Sequence, residues 1–132
     1  MTVSRGVRKL VLERDGYCCV CCGRSVTGRD YSLQHRRAKK MGGSRLSWID
    51  QPQNLITVLG SATTGCHARM EQRLQADKDR GYVISAWPEI DPIHIPLVIA
   101  TEFGDACVWL AADGRISNDP PAEAELPWDA AS

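Results

Sequence analysis

Four cysteines crowd into Cys18-Cys19-Val20-Cys21-Cys22, and a fifth stands beside a histidine at Cys66-His67. Vicinal cysteines bridge each other badly, so this density suits metal ligation or thiol chemistry better than a disulfide framework. Two registers of equal spacing are open, Cys18-x-x-Cys21 and Cys19-x-x-Cys22. A second histidine, His35, is followed by Arg36-Arg37-Ala38-Lys39-Lys40-Met41-Gly42-Gly43-Ser44-Arg45. Next to a Cys-x-x-Cys and a Cys-His, a chemical role for His35 outweighs that of an ordinary strand-end histidine.

These residues need elements to position them. From Ser4 to Arg14, Val7, Leu10 and Val11 recur at helical spacing, and Asp15-Gly16 is a stop. Tyr17 to Arg24 is a tight, thiol-studded turn closed by Gly23, and Tyr31 to His35 alternates as a short strand. Residues 36 to 45 have no period and contain adjacent glycines, which predicts a flexible basic loop. Asn54 to Leu59 is an apolar run, and Ser61 to Gly65 a loop whose hydroxyls are able to cap a helix. That helix begins near Gly65 or Cys66 and ends at Gly81, with Cys66, Met70 and Leu74 on one face. Beyond Gly81, the stretches Tyr82 to Trp87, Ile93 to Ala100 and Cys107 to Ala111 look like short strands split by prolines, with a turn at Asp113-Gly114.

At 132 residues, 43% apolar and 24% charged, the chain has the size and composition of one globular domain. No run of eighteen apolar residues exists, and no apolar segment backs the basic residue near the N-terminus. Neither membrane insertion nor classical secretion is expected. The formal net charge of zero hides an asymmetry. Residues 1 to 50 carry eleven Lys/Arg against four acids, and the rest carry five against twelve. A basic half of this size is the usual footprint of a polyanion partner, because Lys and Arg release the counterions condensed on phosphate.

The order of these fragments resembles the HNH endonuclease family, in particular its small stand-alone bacteriophage members of the actinobacteriophage type. The matching stretches are Arg14-Asp15-Gly16-Tyr17 leading into Cys19-Val20-Cys21-Cys22-Gly23, then His35-Arg36-Arg37 with Met41-Gly42-Gly43-Ser44, Asn54-Leu55, and Thr64-Gly65-Cys66-His67. The C-terminal part, Gly81-Tyr82-Val83-Ile84 through Trp109-Leu110 and Asp113-Gly114, is similar to the extension of those phage proteins. The resemblance implies an α+β fold in one domain: a preceding short helix, a ββα-metal core over about residues 14 to 80, a small β-rich extension over about 81 to 117 and an acidic tail at 118 to 132.

It also implies metal-dependent hydrolysis of DNA phosphodiester bonds. His35 takes the position of the general base that deprotonates water, a role imidazole fills near neutral pH. His67 takes that of a ligand to the catalytic divalent cation, and Asn54 the central asparagine that steadies the loop and the base. Gln34 stands where the family usually has Asp or His as the other cation ligand, with Asp30 and Asp50 as substitutes. A neutral amide there favours manganese, nickel or cobalt over magnesium. Cys19, Cys22 and Cys66 would hold a structural zinc, with Cys18, Cys21 or Cys107 as the fourth ligand. Arg36, Arg37, Lys39, Lys40 and Arg45 would clamp the DNA backbone without reading sequence. The implied partners are DNA and phage packaging (terminase) proteins, with no membrane, in the cytoplasm of the host. The rival reading is an accessory zinc-knuckle protein that binds nucleic acid without cutting it.

Overall fold

Ser4 opens the first ordered element, its hydroxyl accepting the Val7 N–H at 3.2 Å, and helix α1 runs Arg5–Arg14. The computed structural model describes residues 3–39, 46–61, 63–85 and 88–121. Within them the fold is a mixed α+β arrangement of two small antiparallel sheets and short helices.

α1 ends in the left-handed pair Gly16 and Tyr17, and its last side chain turns inward. Arg14, 2% exposed, pairs with Asp15 at 2.8 Å and donates to the carbonyls of Pro52 and Leu55. Asp15 in turn accepts the Thr57 N–H at 2.9 Å. This buried pair therefore ties α1 to the second strand, a structural task for the Arg-Asp-Gly-Tyr motif.

Strand β1 (Tyr31–His35) pairs antiparallel with β2 (Leu55–Leu59), with Gln34 opposite Ile56 and His35 opposite Leu55. Helix α2 (Gly65–Glu71) then packs against both strands. The turn between β2 and α2 requires Gly60, φ 102°, because a Cβ there would lie 2.1 Å from the Thr64 carbonyl oxygen. The hydroxyls of Ser61 and Thr64 close this turn on each other at 2.9 Å and do not cap α2, contrary to the sequence expectation.

The long helix expected up to Gly81 is broken. α2 stops at Glu71, Arg73 adopts φ 54°, and a separate α3 spans Gln75–Asp79. Met70 is buried as expected, but Leu74 is exposed at the break. A hydrogen bond from Arg73 Nη2 to the Ile84 carbonyl at 2.9 Å offsets the cost of the left-handed turn. Of the strand expected over Tyr82 to Trp87, residues 82–85 form none and make one isolated bridge, Ile84 to Arg37 just past the end of β1, while residues 86 and 87 lie outside the described residues. After a 3-10 turn at Pro92–His94, β3 (Leu97–Thr101), β4 (Gly104–Leu110) and β5 (Ile116–Ser117) make the second sheet. Pro92 and Pro96 explain the late start of β3, since neither has an N–H for the ladder.

A single buried cluster joins the parts: Val20 and Val26 from the cysteine turn, Ile56 and Val58 from β2, Met70 from α2, and Leu97, Val108 and Leu110 from the second sheet. No helix among the described residues is long and apolar enough to cross a membrane.

Candidate functional site

β1 and α2 together line a cavity of about 370 Å³, and Gln34, His35, Lys39, His67, Glu71 and Arg73 face it. Residues 34 and 67, separated by half a sheet and a turn in sequence, meet because β1 and β2 pair in register and Gly60 folds the chain back. His67 Nε2 lies 3.3 Å from Glu71 Oε1, one helical turn away. Two buried polar atoms of this group have no hydrogen-bond partner, Gln34 Oε1 and His67 Nδ1. An amide oxygen, an imidazole nitrogen and a carboxylate form a donor set that suits a divalent cation of the first transition row. Glu71 escapes sequence reasoning because an exposed glutamate ending a helix looks like an ordinary solvated charge; its i, i+4 spacing from His67 is the signal that could have revealed it. Arg73 was missed as well, since the break in the helix is what turns it to the cavity.

His35 is held from the opposite side. Its Nε2 lies 2.7 Å from Asp50 Oδ1, and Lys39 Nζ reaches the Asp50 oxygens at 3.0 and 3.3 Å. Partial burial works against ionisation of Asp50, but the hydrogen bonds from His35 and Lys39 outweigh it and hold the carboxyl below the ordinary 3.8. With Nε2–H given to a carboxylate, Nδ1 is the basic nitrogen of the neutral ring. Asp50 is thus committed to His35 and Lys39, while Asp30 is exposed and only its backbone carbonyl is engaged, by Gly60 N–H. Neither acid lines the cavity as the substitute ligand considered from sequence.

Asn54 is fully buried behind this pair. Its Oδ1 accepts the Arg37 N–H at 2.8 Å, and its Nδ2 donates to the carbonyls of Ile49 at 2.8 Å and Arg37 at 3.3 Å. One amide thereby joins the segment leaving His35 to the segment arriving at Asp50. Asn54 does not line the cavity, so its part is to position the residues that do.

The basic loop divides. Arg36 is fully buried, and its guanidinium donates to the carbonyls of Gly81 at 2.7 Å, Ile95 at 2.9 Å, Gln53 at 3.1 Å, Pro92 at 3.3 Å and Pro96 at 3.4 Å. Burial, helped by the like charge of Arg14, lowers its pKa to about 9, still above neutral pH, so it remains a cation. Arg37 is 3% exposed. The expectation that both clamp phosphate is therefore corrected, because neither presents its charge to solvent. Lys39 stays at the rim of the cavity. Lys40 and Arg45 lie outside the described residues, as does the acidic tail beyond Pro121.

The cysteine turn docks beside α2. Its two ends meet in one isolated bridge, Cys18 to Ser25, and Val20 links it to both sheets, donating to the Thr57 carbonyl and accepting from Ala100 N–H. The sulfurs of Cys19, Cys22 and Cys66 lie within 4.8 Å of one another, which selects the Cys19-x-x-Cys22 register. The three thiols fit a bound metal ion. A hydrogen bond with Cys21 and burial push the Cys19 thiol up to about 12, and burial first, then Cys19, push Cys66 to about 11.

Comparison with known proteins adds no relative: no family model matches the chain, and no curated protein or solved structure matches it.

Proposed function

We propose that this chain is a metal-dependent DNA endonuclease built on a ββα-metal core of the HNH type. The observation that carries the reading is the convergence of Gln34, His35, His67 and Glu71 on one cavity between β1 and α2. The order strand, strand, helix over residues 31–71 supports it.

In this mechanism the neutral His35 accepts a proton from water at Nδ1 while Asp50 holds Nε2–H and stabilises the imidazolium that forms. Gln34, His67 and Glu71 would hold the divalent cation, which supplies charge neutralisation at the scissile phosphate and the leaving oxygen. Lys39 and Arg73 at the rim contact the flanking phosphates, and Asn54 fixes the backbone that carries His35 and Asp50. With Arg36 and Arg37 inside the protein, a purely backbone-clamping accessory role has less surface to work with than the sequence suggested. The proposed partner is DNA, with packaging proteins a secondary expectation.

The test is plasmid nicking by the purified chain in magnesium, manganese, cobalt and nickel, beside His35→Ala. Conversion of supercoiled to open-circular DNA by the wild type and not by the variant is the expected result. DNA binding without cleavage in every cation would return the chain to the accessory reading.

A further inference from the structure

The ladder between β1 and β2 ends at the pair His35 and Leu55, so sheet register no longer holds the chain once it has passed the candidate base. Arg36 takes over at that point. Its N–H goes to the Asn54 carbonyl at 2.8 Å, its own carbonyl accepts the Ile84 N–H at 2.8 Å, and its side chain is fully buried. A guanidinium carries five N–H donors in a rigid plane, and here five different carbonyls accept from it, one from Nε and two each from Nη1 and Nη2. No carboxylate is among these acceptors. A buried cation with no counter-ion depends on the dipoles around it staying in place, so this hub tolerates little displacement.

The acceptors come from distant parts of the chain. One is Gln53, beside Asn54, and the other four, Gly81, Pro92, Ile95 and Pro96, belong to the stretch between α3 and β3. Gly81, φ 80°, lets this stretch close, because a Cβ there would run into the Pro96 carbonyl oxygen and lie 3.2 Å from Arg36 Nη2. On the other side of the hub, Arg37 gives its N–H to Asn54 Oδ1, and Lys39 reaches Asp50, the partner of His35. A shift of residue 36 is therefore carried to both members of the His35 and Asp50 contact.

We infer that Arg36 is a positioning residue for His35, and that residues 81–96 of the extension belong, through its guanidinium, to the support of the candidate active site. The kinetic consequence rests on the reading of His35 as the general base, whereas the geometry of its contact with Asp50 is measurable without that reading. A stabilising residue alone would raise the urea midpoint and leave the imidazole as it is; a positioning residue also sets which ring nitrogen carries the proton.

The test compares the wild-type full chain with Arg36→Lys, which keeps the charge but has three donors in place of five, and with Val108→Ala, which opens a cavity in the core on β4 at a residue outside the hub. Both should lower the urea midpoint. Nitrogen-15 and proton spectra of the histidine rings, assigned with His35→Ala, report the Nε2–H given to Asp50. That signal should weaken or vanish in Arg36→Lys and keep its wild-type position and intensity in Val108→Ala. Nicking by Arg36→Lys should lose about tenfold or more in kcat with KM for DNA nearly unchanged, since a buried side chain contacts no phosphate. A wild-type ring signal in Arg36→Lys, or an equal change in Val108→Ala, would overturn the inference. If Arg36→Lys does not fold, Ile84→Pro removes the N–H given to the Arg36 carbonyl and should weaken the same signal; an unchanged signal there is equally fatal. A chain that cuts no DNA but shows the ring signal shifting in Arg36→Lys alone would lose the nuclease reading and keep the positioning link.

Discussion

His35 Nε2 and Asp50 Oδ1 meet at 2.7 Å although fifteen residues separate them in the chain. The contact commits one ring nitrogen to a carboxylate and leaves the other for proton transfer. His35→Ala should therefore lower nicking by about 10²–10⁴-fold with KM for DNA nearly unchanged, since the base acts in the chemical step. A partly exposed residue at the end of β1 can be truncated without unfolding the sheet, and circular dichroism should show this. Wild-type turnover in the variant would remove His35 from the mechanism.

Asp50→Asn tests positioning separately. It should lower kcat at least tenfold through loss of the correct tautomer while leaving KM in place, and Asp50→Glu should restore part of the rate. The same carboxylate makes a stability prediction. Its folded pKa lies below the ordinary 3.8, so its contribution is complete above about pH 4 and is lost as the pH falls through the lower folded value. Urea unfolding of the wild type should weaken on that acid limb, and Asp50→Asn should flatten it.

Arg36 should behave as a structural residue. Arg36→Ala leaves five carbonyls, those of Gly81, Gln53 and Pro92 buried, without their donor and should destabilise the fold by about 3–5 kcal/mol, seen as a lower urea midpoint. Lys39→Ala should leave the midpoint nearly unchanged and, for a lost phosphate contact, reduce the salt slope of duplex binding by about 0.9. Equal effects of the two variants on stability would contradict this division.

In the proposed cation site, Glu71 should decide the metal preference. With Gln34 neutral, it is the anionic group that magnesium would need, whereas manganese, cobalt and nickel gain from the His67 nitrogen. Glu71→Gln should depress nicking in magnesium more than in those metals, and Gln34→Asp should shift the preference toward magnesium. Parallel loss in all four cations would show that Glu71 does not tell them apart.

Much of the scaffold was legible in the sequence. Ser4 and the Val7, Leu10, Val11 period marked α1, the alternation from Tyr31 marked β1, and the apolar run from Leu55 marked β2, because these signals depend on neighbours within one or two turns of chain. The residue types at 34, 35, 54 and 67 and the thiols at 19, 22 and 66 were likewise set by local spacing. Other features depended on contacts between distant segments. Arg36 reads as one more member of a basic run until carbonyls from 17 to 60 residues away enclose it, and Asp50 reads as a loop acid until β1 and Asn54 bring it to His35. The helix from Gly65 breaks at Arg73, where a bond to Ile84 overrides local propensity. Sequence fixes which groups are present and their short-range order; only tertiary packing determines which charges lose their water and which side chains, remote in the chain, come within bonding distance, because desolvation and hydrogen bonding are decided by the neighbours in space.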